Sequence, residues 1–325
     1  MSTNSRHAAA TLPAVAAPPA GVLTARALWE LTKPGITRMV LITTAVGFAL
    51  AALQRAWALP DLLVTLAACL VGTAFSSAGA NALNMWLERE RDARMSRTAG
   101  RPVPSGRLSP NAALAAGVVC AVIGPSLLCA WASPAAAVVA FTTIVLYVGV
   151  YTPLKPVTTH STVIGAVPGA LPPLIGYAAA FPMSGSFASL QEAGGWSLVA
   201  LLAVWQIPHF LAIAWMHKED YAAGGHRVLA AEDATGARTS RATLLWLGAL
   251  FPVSIAPVLA MPELLGWPYA VIAVALNVAW VATALGFVRD PARPQAVRVF
   301  LASIAYLPLV LLAMVAEAVL RTALA

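Results

Sequence analysis

Nine long apolar stretches dominate this chain of 325 residues, at approximately 35–54, 61–84, 111–133, 135–152, 161–181, 195–217, 241–261, 267–288 and 296–319. Apart from the short fourth stretch, each has about the length an α-helix needs to cross roughly 30 Å of hydrocarbon. The runs are continuously apolar rather than alternating, which excludes barrel strands. Only 10% of the residues are charged, against roughly 25% in a soluble domain. Lipid must therefore be the solvent, and there only helices and closed barrels satisfy the backbone. The expected fold is all-α: a polytopic membrane protein of about nine spans.

Pro168, Pro172 and Pro173 interrupt the fifth stretch, which is tolerated where neighbouring helices re-satisfy the freed backbone groups. Cys69, Cys120 and Cys129 fall inside apolar runs without metal-ligand spacing and read as small apolar fillers. With the N-terminus placed in the cytoplasm, 18 of the 20 basic residues collect on one side, leaving only Arg55 and Arg321 opposite. That asymmetry predicts an N-in, C-out topology. It also accounts for the net charge of +7 without a nucleic-acid partner. Residues 1–25, rich in Ala and Pro, lack an apolar core for a signal peptide. They read as a disordered cytoplasmic tail ahead of a single membrane domain over 26–325.

Two inner-side loops, 84–110 and 217–240, are long and polar and carry seven of the thirteen carboxylates. If the second span continues as a helix, Asn84, Glu88 and Asp92 lie at i, i+4 and i+8, on one face. An amide and two carboxylates suit a hard cation such as Mg²⁺, which keeps waters and is completed by substrate phosphates. Behind them come Arg97, Arg101 and Arg107, whose forks match phosphate oxygens. The same residues also fit a solvated helix end with i,i+4 ion pairs. Lys218-Glu219-Asp220-Tyr221 offers a carboxylate that could reach the first cluster, or an ordinary charged terminus. Lys155, in the connection between the fourth and fifth spans, either contacts phosphate or marks the inner face. His209 lies within the sixth span, where ionisable residues are functional candidates; a hydrogen-bonded packing role is the alternative.

Together these motifs resemble the UbiA-type intramembrane prenyltransferases, from about Thr32 to the C-terminus. Asn84-x-x-x-Glu88-x-x-x-Asp92, followed by Arg97-Thr98-x-x-Arg101-Pro102, is similar to the family's first Asn/Asp-rich motif. Tyr151-Thr-Pro-Leu-Lys155 and the segment 164–176 are similar to its central part. Trp205-x-x-Pro208-His209-Phe210 with Lys218-x-Asp220-Tyr221 resembles the haem-modifying branch. Three departures stand out. Glu88 replaces the usual Asp, His160 replaces a common Asn, and the second acidic motif is reduced to Glu219-Asp220.

The resemblance implies farnesyl diphosphate and protohaem IX as substrates, and Mg²⁺ as cofactor. It implies metal binding by Asn84, Glu88, Asp92 and Asp220, and diphosphate binding by Arg97, Arg101 and Lys155. Lys218 and Tyr221 are further substrate-binding candidates, and His209 a haem contact. The Arg- and Ala-rich composition without a clear transit peptide favours a bacterial inner membrane. The active-site loops are cytoplasmic by the basic-residue asymmetry. Haem A synthase or oxidase assembly factors are candidate partners. A prenyltransferase acting on an aromatic quinone precursor is the nearest rival. A transporter would instead carry loop charge only for topology, and would show inverted repeats around broken helices, which the sequence lacks.

Overall fold

The computed structural model describes residues 25–324, and the expected tail falls almost wholly outside them. A short helix α1 (Ala25–Leu31) leads into α2 (Pro34–Ala52), then α3 (Leu59–Asp92), α4 (Pro110–Trp131) and α5 (Pro134–Ile144). The last continues through a π-helical turn, Val145–Tyr151, into α6 (Thr152–Leu154). There follow α7 (Ser161–Ala170), α8 (Pro172–Ala179), α9 (Ala193–Met216), α10 (Lys218–Ala223), α11 (Ala237–Ala260), α12 (Trp267–Arg289) and α13 (Arg293–Leu324). With α5–α6 and α7–α8 each counted as one span, nine helices among the described residues are long and apolar enough to cross a membrane. All nine coincide with the apolar stretches.

Beside a buried core of large side chains such as Trp280, Tyr177 and Leu128, small residues let the helices of the bundle approach closely. Lipid tails are as apolar as leucine, so helices associate where backbones can approach closely. The α3–α4 seam shows this: a Cβ at Gly124 would meet the Ser76 side chain and the Gly72 carbonyl. Outward faces carry large apolar side chains, among them Val122, Phe141, Leu245 and Leu312, all exposed.

Pro172 and Pro173 begin α8 after a break at Leu171. Side chains of neighbouring helices tie α8 in place: the Thr44 hydroxyl donates to the Pro172 carbonyl (3.1 Å) at its start and Ser133 to that of Ala178 (2.8 Å) at its end. Here α2 and α8 touch backbone to backbone, and a Cβ on Gly176 would collide with the Thr44 carbonyl oxygen. Gly176→Val should therefore destabilise the protein by about 1–3 kcal/mol, as overpacking of a filled interior does. Thermal melts in detergent check this against Gly248→Ala, where the added methyl meets nothing within 4 Å; equal melting temperatures would contradict the packing described.

Candidate active site

Helix α3 runs well beyond the apolar stretch 61–84, ending only at Asp92. That extension puts Asn84, Glu88 and Asp92 on one face. The face is not a solvated helix end, because the three residues are 1%, 4% and 1% exposed. Burying charge is costly unless it is paired, and here each residue has a cation. The Lys33 ammonium donates to Asn84 Oδ1 (2.6 Å), Lys155 to Glu88 Oε2 (3.0 Å) and Arg101 to Asp92 Oδ2 (2.6 Å).

The partners arrive from separate elements. Lys33 forms the elbow between α1 and α2, at φ 48°, the one non-glycine residue with positive φ among those described. Burial, reinforced by the nearby Arg101 and Lys155 cations, pushes its ammonium down to about 7. Lys155 follows the π-helical turn. Thr152 in that segment donates to the Tyr147 carbonyl (2.8 Å) and accepts from Asn84 Nδ2 (3.0 Å). Asn84 Nδ2 also donates to Glu88 Oε2 (2.9 Å), fixing its amide oxygen toward Lys33. Burial opposes charge on Lys155, but Tyr151 and Glu88 outweigh it and hold its pKa above the ordinary lysine value. Its ammonium also lies 4.6 Å from the Tyr151 ring centre.

The loop after α3 folds back over this face. Thr98 donates to the Asp92 carbonyl (2.8 Å), and Asp220 on α10 accepts from the Ser96 backbone and hydroxyl (3.0 and 2.8 Å). Those hydrogen bonds, the Ser96 hydroxyl first, hold the Asp220 carboxyl below its usual range. Arg97 lies over the Tyr221 ring and donates to its hydroxyl (3.4 Å). Lys218 packs on the Trp215 ring at 4.1 Å. Arg107 is engaged elsewhere, on Glu30 (2.6 Å) and the Gly100 carbonyl (2.7 Å).

His209 sits deeper, between Trp205 (centroids 5.0 Å, 20°) and Phe300 (5.2 Å, 30°). Its Nδ1 is 2.7 Å from the Ser303 hydroxyl, which itself donates to the Phe300 carbonyl. Ser303 therefore accepts, the proton sits on Nδ1, and Nε2 keeps its lone pair.

As a donor set the α3 face fits a hard divalent cation. It offers one amide oxygen and two carboxylates, and Lys155 Nζ lies 2.9 and 3.0 Å from the two oxygens of Glu88. Among the described residues no three His, Cys, Asp or Glu side chains gather to hold a metal by themselves. A hard cation on the α3 face would complete its shell with waters and substrate phosphate. Asp220 is not brought to Glu88 and Asp92 as a third carboxylate. Sequence reasoning missed Lys33, Thr152 and Ser303 as site residues; Lys33 was legible only as an inner-side charge.

A family model described as the UbiA prenyltransferase family matches residues 40–307. The chain belongs to the UbiA prenyltransferase family. Among its relatives are the protoheme IX farnesyltransferase of Anaeromyxobacter sp. (strain Fw109-5), 41% identical over 91% of this chain and 95% of that protein. The mitochondrial protoheme IX farnesyltransferase of Arabidopsis thaliana is 37% identical over 87% of this chain and 63% of that one. Solved UbiA-fold structures superpose well. A digeranylgeranylglyceryl phosphate synthase gives a TM-score of 0.72 at 14% identity, covering 90% of this chain and 98% of that one. A UbiA homologue from Archaeoglobus fulgidus bound to GPP and Mg²⁺ gives 0.57 at 12% identity, covering 89% and 99%. At those identities the likeness is one of fold, and it bears out the all-α, nine-span architecture.

Proposed function

We propose that this protein transfers a farnesyl group from farnesyl diphosphate to a vinyl group of protohaem IX, giving haem O and diphosphate. The observation that carries the reading is the buried Asn84-Glu88-Asp92 face with a cation on each member. Relatives named protoheme IX farnesyltransferase, 39–41% identical over most of the chain, support the choice of acceptor.

A magnesium ion held by Asn84, Glu88 and Asp92 would neutralise charge on the leaving diphosphate. Arg101 and Lys155, already within reach of those carboxylates, turn to the phosphate oxygens, with Arg97 at the rim. The allylic C–O bond breaks with its electron pair on the diphosphate. The vinyl π pair of haem then forms the new C–C bond, and water captures the resulting cation with loss of a proton. The apolar bundle keeps water from the allylic cation until the acceptor is in place. Asp220 and Tyr221 act by holding the Ser96–Arg97 turn over the site. His209 contacts the haem, presenting the Nε2 lone pair that the Ser303 contact leaves free. The N-terminus and both charged loops lie on the cytoplasmic side of a bacterial inner membrane, as the 18 of 20 basic residues on that side support.

Diphosphate release from farnesyl diphosphate should require both Mg²⁺ and protohaem IX, and a coupled pyrophosphatase assay on purified protein measures this. Release that is unchanged when haem is replaced by 4-hydroxybenzoate would favour the quinone-precursor reading; no release under any condition would favour a transporter.

A further inference from the structure

The turn that follows α10 carries a buried histidine that the mechanism above does not use. His226 is 6% exposed, and its Nδ1 is buried without a hydrogen bond among the described residues. Buried polar atoms are normally paired, so one that is not calls for a partner.

The backbone fixes where this ring sits. Gly225, at φ 69°, turns the chain, and His226 N then donates to the Tyr221 carbonyl (2.9 Å). The next residue anchors the turn to the connection that carries Lys155. Arg227 N donates to the Lys155 carbonyl (2.8 Å), and its Nη1 to that of Val157 (3.2 Å). His226 is thereby held beside the diphosphate cluster: Glu88, Lys155, Arg91 and Asp92 are the charged groups near enough to bear on its imidazole.

Packing fixes how the ring is turned. It meets Tyr221 edge-on (centroids 6.1 Å, 73°), the same ring that Arg97 approaches at 5.4 Å. A Cβ on Gly224 would lie 3.1 Å from His226 Cδ2 and 2.8 Å from the Met95 sulfur. The Cδ2 edge therefore faces its own turn, and Nδ1, on the opposite edge, faces away from it. Burial, the largest influence, pushes the His226 pKa down, so the ring is neutral and carries one N–H. A neutral donor suits a place that already holds Lys155 and Arg91, because it adds a hydrogen bond without adding repulsion. A metal contact suits it less, since a hard cation takes oxygen ligands.

We infer that His226 Nδ1 donates a hydrogen bond to the leaving diphosphate, alongside Lys155 and Arg97. The inference rests on the prenyl-diphosphate reading above and adds a neutral donor to its cations. It makes the turn after α10 part of the diphosphate site, and substrate gives the unpaired nitrogen its partner.

The test is calorimetric titration of purified protein in detergent with Mg²⁺ and farnesyl thiodiphosphate, an unreactive analogue, for the unaltered chain, His226→Leu and His226→Asn. Leu and Asn are alike in shape and both lose the ring, but only the Asn amide can place a donor near the position of Nδ1. His226→Leu should bind the analogue about tenfold more weakly, the scale of a hydrogen bond to a charged group. His226→Asn should recover most of that affinity. His226→Phe, which keeps a ring against Tyr221 but has no nitrogen, should bind as weakly as Leu. Equal affinity for Leu and Asn, or a Phe variant that binds like the unaltered chain, would overturn the inference and leave His226 a packing residue. An unaltered chain that does not bind the analogue would overturn the prenyl-diphosphate reading itself.

Discussion

Asp92→Ala should lower haem O formation by about 10²–10³-fold at ordinary Mg²⁺ concentrations, the loss typical when a group that stabilises developing charge is removed. Asp92 is almost fully buried, its carboxylate is bonded to Arg101, and its carbonyl anchors Thr98. Losing the carboxylate removes a proposed metal ligand and frees a guanidinium, so both halves of the diphosphate site suffer. Raising Mg²⁺ should recover part of the loss, because one oxygen ligand is gone while Asn84 and Glu88 stay. The check is the rate of product formation against Mg²⁺ concentration. Full activity of the variant at low Mg²⁺ would mean that the α3 face does not bind the metal.

Glu88 gives the second large effect, and it separates stability from chemistry. Glu88→Gln leaves Lys155, itself poorly exposed, facing a neutral amide. Breaking one partner of a buried pair costs about 3–5 kcal/mol, which a thermal melt in detergent would register as a clear drop. Glu88→Gln/Lys155→Met removes both charges and should regain most of that stability, since replacing a buried pair by apolar groups is often neutral. The double variant should nonetheless remain inactive, having lost a metal ligand and a phosphate cation together. A double variant that recovered activity along with stability would reduce the Glu88–Lys155 pair to a structural one.

Most spans were legible because they are long apolar runs, a signal that tertiary context does little to disturb. Even the fifth, split by prolines into α7 and α8, kept its apolar length. The extension of α3 to Asp92 was legible for a different reason: Asn84, Glu88 and Asp92 share a face only if the helix continues. What the sequence hid is what arrives from far away. Lys33 meets Asn84 across 51 residues, Thr152 meets it across 68, and Ser303 meets His209 across 94. No local pattern encodes such pairs. The left-handed backbone at Lys33 carries no glycine to announce it, and the π-helical turn before Thr152 leaves no mark in an apolar stretch. The roles of Arg107 and Asp220 are hidden for the same reason. Their residue types suited phosphate and metal, but distant partners claim them, Glu30 across 77 residues and Ser96 across 124.

The central claim is that the buried α3 face and its cations ionise a prenyl diphosphate for attack by haem. Its most direct test is the mass of the haem recovered after incubating the purified protein with protohaem IX, farnesyl diphosphate and Mg²⁺ in ¹⁸O-labelled water. The mechanism predicts a porphyrin heavier by one farnesyl group and one hydroxyl carrying ¹⁸O, and none of it when the metal is chelated. Haem recovered unchanged, with farnesyl appearing on an added aromatic acid instead, would contradict the account.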